Sequence, residues 1–468
     1  SSDDGNIDTK VGKQLGAGTN VQQKNGVGDS AEQNKTSGAA ADKPSASSSE
    51  GKISVAAAVS VNLQKSSAKA TVPDATNVGD MEVKAQGAVT LSASNNTDGA
   101  ALTDGSAVGS TTSVGIGAGV SVNLVKSANE ASIGKKAKVT GSGLTLEAKM
   151  TDVKGDGSDL VNTLDAEAKS GAGSSKVGLA GSLALNIADT SSQALIKSGA
   201  QIDAGGGAVA LTADDRTSTT GKALPADGGG ASGGKVGIGA SVAVNIIANR
   251  ASAQIEDTAT LTGAQDVTLK ANGKFDMLTQ AEAGSQGGVS ITPVVALSLA
   301  DNRTTASLGT SSSTLTTTGD LLLQADQVSN TSTTAKGSSQ GSKAAIGAAV
   351  AVALVDDEVS ATTSRSIDTS GAGSGEGAVS FLAHGASASS VSATASAVGG
   401  NTDDTAGTTD AATGKKKEDA TLDDKVSNQT SFGKKAQTDN KVGDDSQQTS
   451  TADSADSKPS ASSSEGKI

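Results

Sequence analysis

The only histidine in the chain, His384 in FLAHGASAS, is the first residue to weigh for chemistry. No cysteine occurs in the 468 residues, so neither a Cys/His metal set nor a Cys–His nucleophile is encoded. A lone histidine without such partners reads as a surface or turn residue. Acidic clusters stand at Asp214–Asp215, Asp356–Asp357–Glu358 and Asp403–Asp404. Calcium needs about six or seven converging oxygens, normally on a glycine-supported loop. The glycine-rich nonapeptide of calcium β-rolls is absent, and KGDGSDL from Lys154 is only a faint echo of it. These acids read as solvated turns. Glycine runs such as GIGAGVS lack the GK[ST] ending of a phosphate loop and lie on strand patterns with no helix following. Serine is plentiful, but no GxSxG elbow with an activating histidine is evident. No catalytic, cofactor-binding or metal-binding residue is therefore assigned, no cofactor is expected, and the chain reads as non-enzymatic.

Composition narrows the fold class. Aromatic residues are 1% of the chain (three Phe, no Trp or Tyr), and hydrophobic residues reach 35%. Large anchors for a thick core are missing. With 59 glycines, a dense core has to be a thin one. The formal net charge of −13 opposes binding to nucleic acid or to anionic lipid through a general basic field. No apolar run approaches the roughly 18 residues of a membrane-spanning helix, so no membrane insertion is expected in this segment.

Repetition is the dominant signal. Six segments share one pattern: ISVAAAVSVNL from Ile53, VGIGAGVSVNL from Val114, VGLAGSLALNI from Val177, VGIGASVAVNI from Val236, VSITPVVALSL from Val289 and AAIGAAVAVAL from Ala344. Val114, Ile116, Val120, Val122 and Leu124 alternate with Gly115, Gly117, Gly119, Ser121 and Asn123, the period of two of a half-buried strand. On this reading the apolar set packs inward, and charge at Val120 and Val122 would be disruptive. The opposite face is small enough for another backbone to approach. Asn62, Asn123, Asn186 and Asn245 recur at one register and are expected to form a structural hydrogen-bonded ladder, not a catalytic group. Each strand is followed by short β-prone pieces and a polar stretch such as DDRTSTTGKALPADGGGASGG, read as a loop containing Ser232 and Gly233. Pro293 falls inside a strand and signals an edge or a bulge.

Strand, turn, strand, turn without helices predicts an all-β protein: a right-handed parallel β-helix or β-solenoid of six degenerate units, 53–63 residues apart. At roughly 20–30 residues per coil each unit would supply two or three coils, and a full period on the order of 70–100 Å. KPSASSSEGKI begins at both Lys43 and Lys458, an offset of 415 residues. The same offset joins NGVGD with NKVGD and IDTKV with LDDKV. The chain therefore divides into a polar inter-repeat segment (1–50), the repeats (51–400), and a second polar segment with the start of a new period (401–468). Text close to SVAAAVSVNLQKS is expected after Ile468 in the natural chain. The sparse apolar residues of the polar segments suggest a strap held against the repeats.

The cycle VGIGAGVSVNLV…ASIG…AKVTGSGLTLEAK resembles the β-helical repeat regions of very large bacterial surface adhesins of the filamentous-haemagglutinin-like kind. The resemblance covers about residues 51–400 and implies a fold and a setting, with no catalytic residues to carry over. It implies export from a Gram-negative cell and an extracellular or cell-surface location. The expected function is a structural repeat of an adhesin or biofilm-matrix fibre that gives length, rigidity and bridging. Its expected partners are other copies of the repeat, cell-surface glycans or other cells. A glycan- or ice-binding β-solenoid, using Thr-rich stretches such as TLTTTGD and TATLTG, is the alternative; a β-helix polysaccharide-active enzyme is the remote one.

Overall fold

In a computed structural model, the described residues are 52–108, 112–152, 159–226, 230–373 and 377–399. The polar segments assigned to 1–50 and 401–468 lie outside them, as do Asp403, Asp404 and most of KGDGSDL. The described chain is all-β and parallel, without a helix. The first unit contains β1 (Ile53–Val72), β2 (Glu82–Lys84), β3 (Val89–Asn95) and β4 (Gly99–Val108). The second has β5 (Val114–Ile133), β6 (Lys138–Thr140), β7 (Leu144–Met150) and β8 (Asn162–Ser174). Then follow β9 (Val177–Ile196), β10 (Gln201–Asp203), β11 (Val209–Pro225), β12 (Ala231–Ile255) and β13 (Thr260–Thr262). The last are β14 (Val267–Leu308), β15 (Leu315–Thr316), β16 (Leu321–Thr363), β17 (Ile367–Asp368) and β18 (Val379–Val398).

Each unit is thus a long first arm, a short strand and a long return arm. The first arms pair in one register: Ile53 with Val114, Val114 with Val177, Val177 with Val236, Val236 with Val289, and Val289 with Ala344. The return arms do likewise, with Val89, Leu144, Val209, Val267, Leu321 and Val379 in one row. One unit therefore makes one layer, not the two or three coils expected from its length. The first arms run about 20 residues, long enough for one unit to complete a single layer, and composition gives no sign of where a strand this long must stop. Six layers at the ordinary strand spacing stack to about 29 Å, well below the 70–100 Å expectation.

Polar text between the repeats is strand as well. The stretch read as a loop runs through β11 to Pro225 and resumes at Ala231 in β12. Its alternation of Asp214, Arg216 and Lys222 outward with Asp215, Thr217 and Thr219 inward is a strand pattern written in polar residues. Ser232 and Gly233 pair with Gly173 and Ser174 of β8. In β12 and β14 the chain passes from a return arm directly into the next first arm. The register shifts there, between Gly233 and Val236 and between Gly287 and Val289, and such bulges turn a strand around a corner. Pro293 is neither at an edge nor at a bulge, contrary to expectation: β14 pairs with strands on both sides. Its register with β12 is the same before (Ile238–Ile291) and after (Ser241–Val294), with only the pairs between them interrupted where the proline has no N–H to give.

The inward face is the reverse of the expectation. In β5, Gly115, Gly117, Gly119, Ser121 and Asn123 are buried, while Val120 and Val122 lie on the outer face. Tertiary packing reverses the usual rule because a first arm and a return arm lie face to face at close range. A Cβ on Gly117 would overlap the carbonyl oxygen of Gly171, and one on Gly239 that of Gly284. The interior tapers. At the corner end, Ile133, Leu144, Leu146 and Val139 share a core with Ile196, Ile202, Leu211 and Ile255. Next along the arms, Val125, Leu164, Ile247 and Met277 form a smaller apolar cluster, after which the interior narrows to alanines such as Ala166, Ala184, Ala223 and Ala243, and beyond them to glycine. The short strands fill the wide end, with Val139, Ile202 and Leu261 all buried.

Gly117→Val should force the sheets apart and lower stability by about 3 kcal/mol or more, while Ala118→Val, one residue away on the outer face, should change it by less than about 1 kcal/mol. Urea unfolding of the two variants measures the contrast, and equal losses would contradict this inward face.

Candidate functional site

No group of three or more His, Cys, Asp or Glu is placed to hold a metal among the described residues. His384 sits exposed on β18, its Nδ1 2.7 Å from Asp326 Oδ1. What the layers do bring together is a set of buried polar columns, one side chain per layer. Asn62 Nδ2 donates to Asn123 Oδ1 at 2.7 Å, and Asn123 Nδ2 donates to Asn186 Oδ1 at 3.1 Å. The amides also reach across to the return arms. Asn123 Nδ2 donates to Gly99 O at 3.1 Å and Asn186 Nδ2 to Leu164 O at 2.9 Å. Asn245 stands apart from this chain: its Nδ2 makes long bonds to Thr219 Oγ1 (3.3 Å) and Leu278 O (3.5 Å), and its buried Oδ1 has no partner. Below it the register carries Ser298, bonded to Thr279 and Thr333 at 2.7 Å each, and then Ala353.

A second column, four residues further along the first arms, escapes sequence inspection because its residue types differ from layer to layer: Ser66, Ser127, Thr190, Asn249, Asn302 and Asp357. Asp357 closes the lower end and fixes the direction of the chain above it. A carboxylate only accepts, so Asn302 Nδ2 must donate to Asp357 Oδ1 (2.8 Å), leaving Asn302 Oδ1 to accept from Asn249 Nδ2 (2.6 Å). Asn249 Oδ1 then accepts from Thr190 Oγ1 at 2.8 Å. Asp357 also accepts from Gln327 and Ser387. The cluster Asp356–Asp357–Glu358 is therefore part of a strand, not a solvated turn. Arg303 Nη1 reaches Glu358 at 2.6 Å on the outer face.

Asp214–Asp215 is corrected in the same way. Asp214 faces outward and takes two hydrogen bonds from Arg216. Asp215 is fully buried, and Thr190 Oγ1 lies 2.9 Å from its Oδ2. A hydroxyl has one proton, so Thr190 cannot donate to both Asp215 and Asn249. A protonated Asp215 resolves the conflict by donating to Thr190, which donates onward. Burial pushes the Asp215 carboxyl up to about 7; Asp214 and Asp189 push the same way, against the hydrogen bonds that its ionised form accepts from Thr190 and the Arg250 backbone.

Acids that do lie in turns bind the next layer through its backbone. Asp74 Oδ1 accepts from Lys135 N (2.8 Å), Asp257 Oδ1 from Thr310 N (2.6 Å), Asp266 Oδ1 from Asp320 N (2.8 Å), and Asp320 Oδ1 from Gly377 N (2.9 Å). The hydrogen bonds from Thr310 hold the Asp257 carboxyl below its usual range. Arg365, which no sequence pattern marks, is buried and donates to three carbonyls: Gly309 at 2.7 Å, Ala259 at 2.8 Å and Glu256 at 3.0 Å. Burial lowers its pKa from the usual arginine value. In TLTTTGD, Thr317 is buried and donates to Gly319 O, so that stretch presents no continuous threonine surface.

No protein-family description, curated protein or solved structure matches this chain.

Asn123→Leu should cost about 1–3 kcal/mol, because it strands the amide of Asn62 and the amide oxygen of Asn186 inside the sheets. Asn245→Leu, at a site already poorly bonded, should cost less; chemical denaturation ranks the two, and the reverse order would contradict the ladder as a stabilising element. The Asp215 carboxyl titrates near 7 in the fold and near its ordinary 3.8 when unfolded, so the native state holds the extra proton between those values. Stability should fall as pH rises from about 4 to about 7 and level off above, a loss on the order of 4 kcal/mol from this group. Asp215→Asn should remove that decline and be the more stable form at pH 8, as thermal melts across pH would show.

Proposed function

We propose that this chain is a structural repeat segment of a secreted or surface-displayed bacterial adhesin or extracellular matrix fibre, wound as a right-handed β-solenoid. The observation that carries the reading is the single register joining six successive units, from Ile53 through Val114, Val177, Val236 and Val289 to Ala344. A chain whose every unit pairs only with its neighbours is extensible by repetition, and its stability is close to a sum over adjacent layers. Its polar residues support this use. The buried columns and turn acids run from layer to layer along the stack, so their bonding is spent on cohesion between units. The likeness of VGIGAGVSVNLV to the repeats of large surface adhesins points the same way. The role is mechanical: the segment spaces a terminal adhesive or anchoring part from the cell and bridges cells or fibres. Its partners are further copies of the repeat, with cell-surface glycans or other cells as targets, and its setting is extracellular.

Deleting one 415-residue period from the natural protein should leave secretion and folding intact and shorten the fibre by about 29 Å, the height of six layers. Electron microscopy of fibres from deletion strains, with a cell-bridging assay, measures both effects. Unchanged length would overturn the reading, and selective binding of this segment on a glycan array would favour a carbohydrate-binding module instead.

A further inference from the structure

We infer that two copies of this chain pair face to face through the outer aliphatic surface of their first arms, with strands antiparallel. In this pairing Lys176 and Lys343, which precede two arms of one copy, meet Asp189 and Asp356, which lie past the aliphatic field of the other. The surface plays no part in the fibre proposal, and the pairing stands or falls separately from it.

The inversion of the first arms leaves their apolar side chains outside. One row shows the arrangement: Val59, Val120, Leu183, Val242, Val295 and Val350 lie side by side across the six layers, all pointing outward. Equivalent aliphatic rows lie two and four residues after it and four before it, while the row two before is small: Ala57, Ala118, Gly181, Ala240, Pro293 and Ala348. The resulting field is six strands by about eleven residues, roughly 29 by 36 Å, or about 1,000 Å². Monomers seldom expose an apolar patch above about 600 Å². The return arms show that this is not a general property of the outer surface. Their outward residues in β11 are Thr212, Asp214, Arg216, Ser218, Thr220 and Lys222. One outer face of the slab is made for water and the other is not.

Area and charge both select a second copy as the occupant. Two such faces in contact would bury about 2,000 Å², within the range of stable, specific interfaces. The field is flat and repetitive, so it is complementary to itself. Its two borders carry opposite charge in the third and sixth layers, whereas in the first layer Lys52 and Lys65 make both borders basic. Lys176 and Lys343 stand exposed immediately before the arms of the third and sixth layers, while Asp189 and Asp356 lie outward just past the last aliphatic row. They share that row with Lys65, Lys126, Ala248 and Asp301, and Lys126 already pairs with Asp189. A two-fold axis along the stacking direction keeps layer opposite layer and reverses strand direction. It places Lys176 against Asp189 and Lys343 against Asp356, each pair occurring twice. The same operation lays the row Val114, Val177, Val236 over an open groove of about 1010 Å³, lined by Leu124, Ile187 and Ile246 at the opposite border of the other copy's aliphatic field. A parallel arrangement would set lysine against lysine.

The test uses the full chain. Light scattering coupled to size exclusion and sedimentation equilibrium are expected to show a dimer. Val120→Lys with Val242→Lys should give a monomer whose far-UV circular dichroism is unchanged, since both positions face outward. Val120→Thr with Val242→Thr, which keeps strand propensity, serves if the lysines perturb folding. Lys343→Glu and Asp356→Lys should each raise the dimer Kd about tenfold at low salt, and the two together should restore it. A monomer at every concentration, or a dimer indifferent to both outer-face variants, would overturn the pairing. So would a monomer that floats with phosphatidylcholine vesicles, which would make the face a lipid surface, or one whose cross-links join Lys415–Lys417 to Lys176. Failure of the charge-swapped pair to recover would overturn the antiparallel alignment.

Discussion

Everything in this structure follows from how closely the first and return arms approach. Ordinary face-to-face sheets stand about 10 Å apart because branched side chains interdigitate between them. Here the facing residues are glycine, alanine and serine over most of the width, and the positions of Gly117 and Gly239 leave no room for a Cβ. The contact is therefore between backbones, and dispersion from many close atom pairs takes the place of large apolar side chains. A chain with 1% aromatic residues can still have a dense interior by this means, at the expense of almost all interior volume.

Close approach has a second consequence: it leaves no room for water around buried polar groups, so those groups must be paired within the protein. The columns beginning at Asn62 and Ser66 answer that demand, and they do so along the stack as well as across it. A parallel pair of nearly featureless Gly/Ala strands can slip, since small side chains resist a two-residue shift weakly. An amide that bonds to the equivalent amide in the next layer penalises such a slip. Where the column is imperfect, at Asn245, one buried oxygen is unpaired; where it contains an acid, at Asp215, a proton is retained to complete it.

The same geometry decides where the aliphatic residues go. Because most of the interior accepts only small side chains, Val, Ile and Leu of the first arms lie mainly on the outside; the exceptions are the corner, where three strands enclose a wider space holding Ile133, Leu144 and Val139, and inward positions such as Val125, Ile247 and Val294. The protein thus has a polar outer face, an aliphatic outer face and a thin, hydrogen-bonded interior. That asymmetry links folding to association: the residue types that give the strands their β-propensity are those left available to a partner.

The sequence by itself determined the all-β class, the parallel repetition and the equivalence of Asn62, Asn123, Asn186 and Asn245, because those depend on period and spacing, which are local properties of the chain. Only the tertiary structure decided which face of the alternating strands points inward. Period two shows that two faces differ, but a glycine face and a valine face are both buriable, and the choice rests on the distance to the opposing sheet. The layer height was hidden for a related reason: Asp214 through Lys222 read as a loop until a neighbouring strand supplies the register that makes their alternation meaningful. The column of Ser66, Thr190, Asn249 and Asp357, and the three carbonyls gathered by Arg365, were equally invisible, since their members are unlike in type and meet only when layers stack.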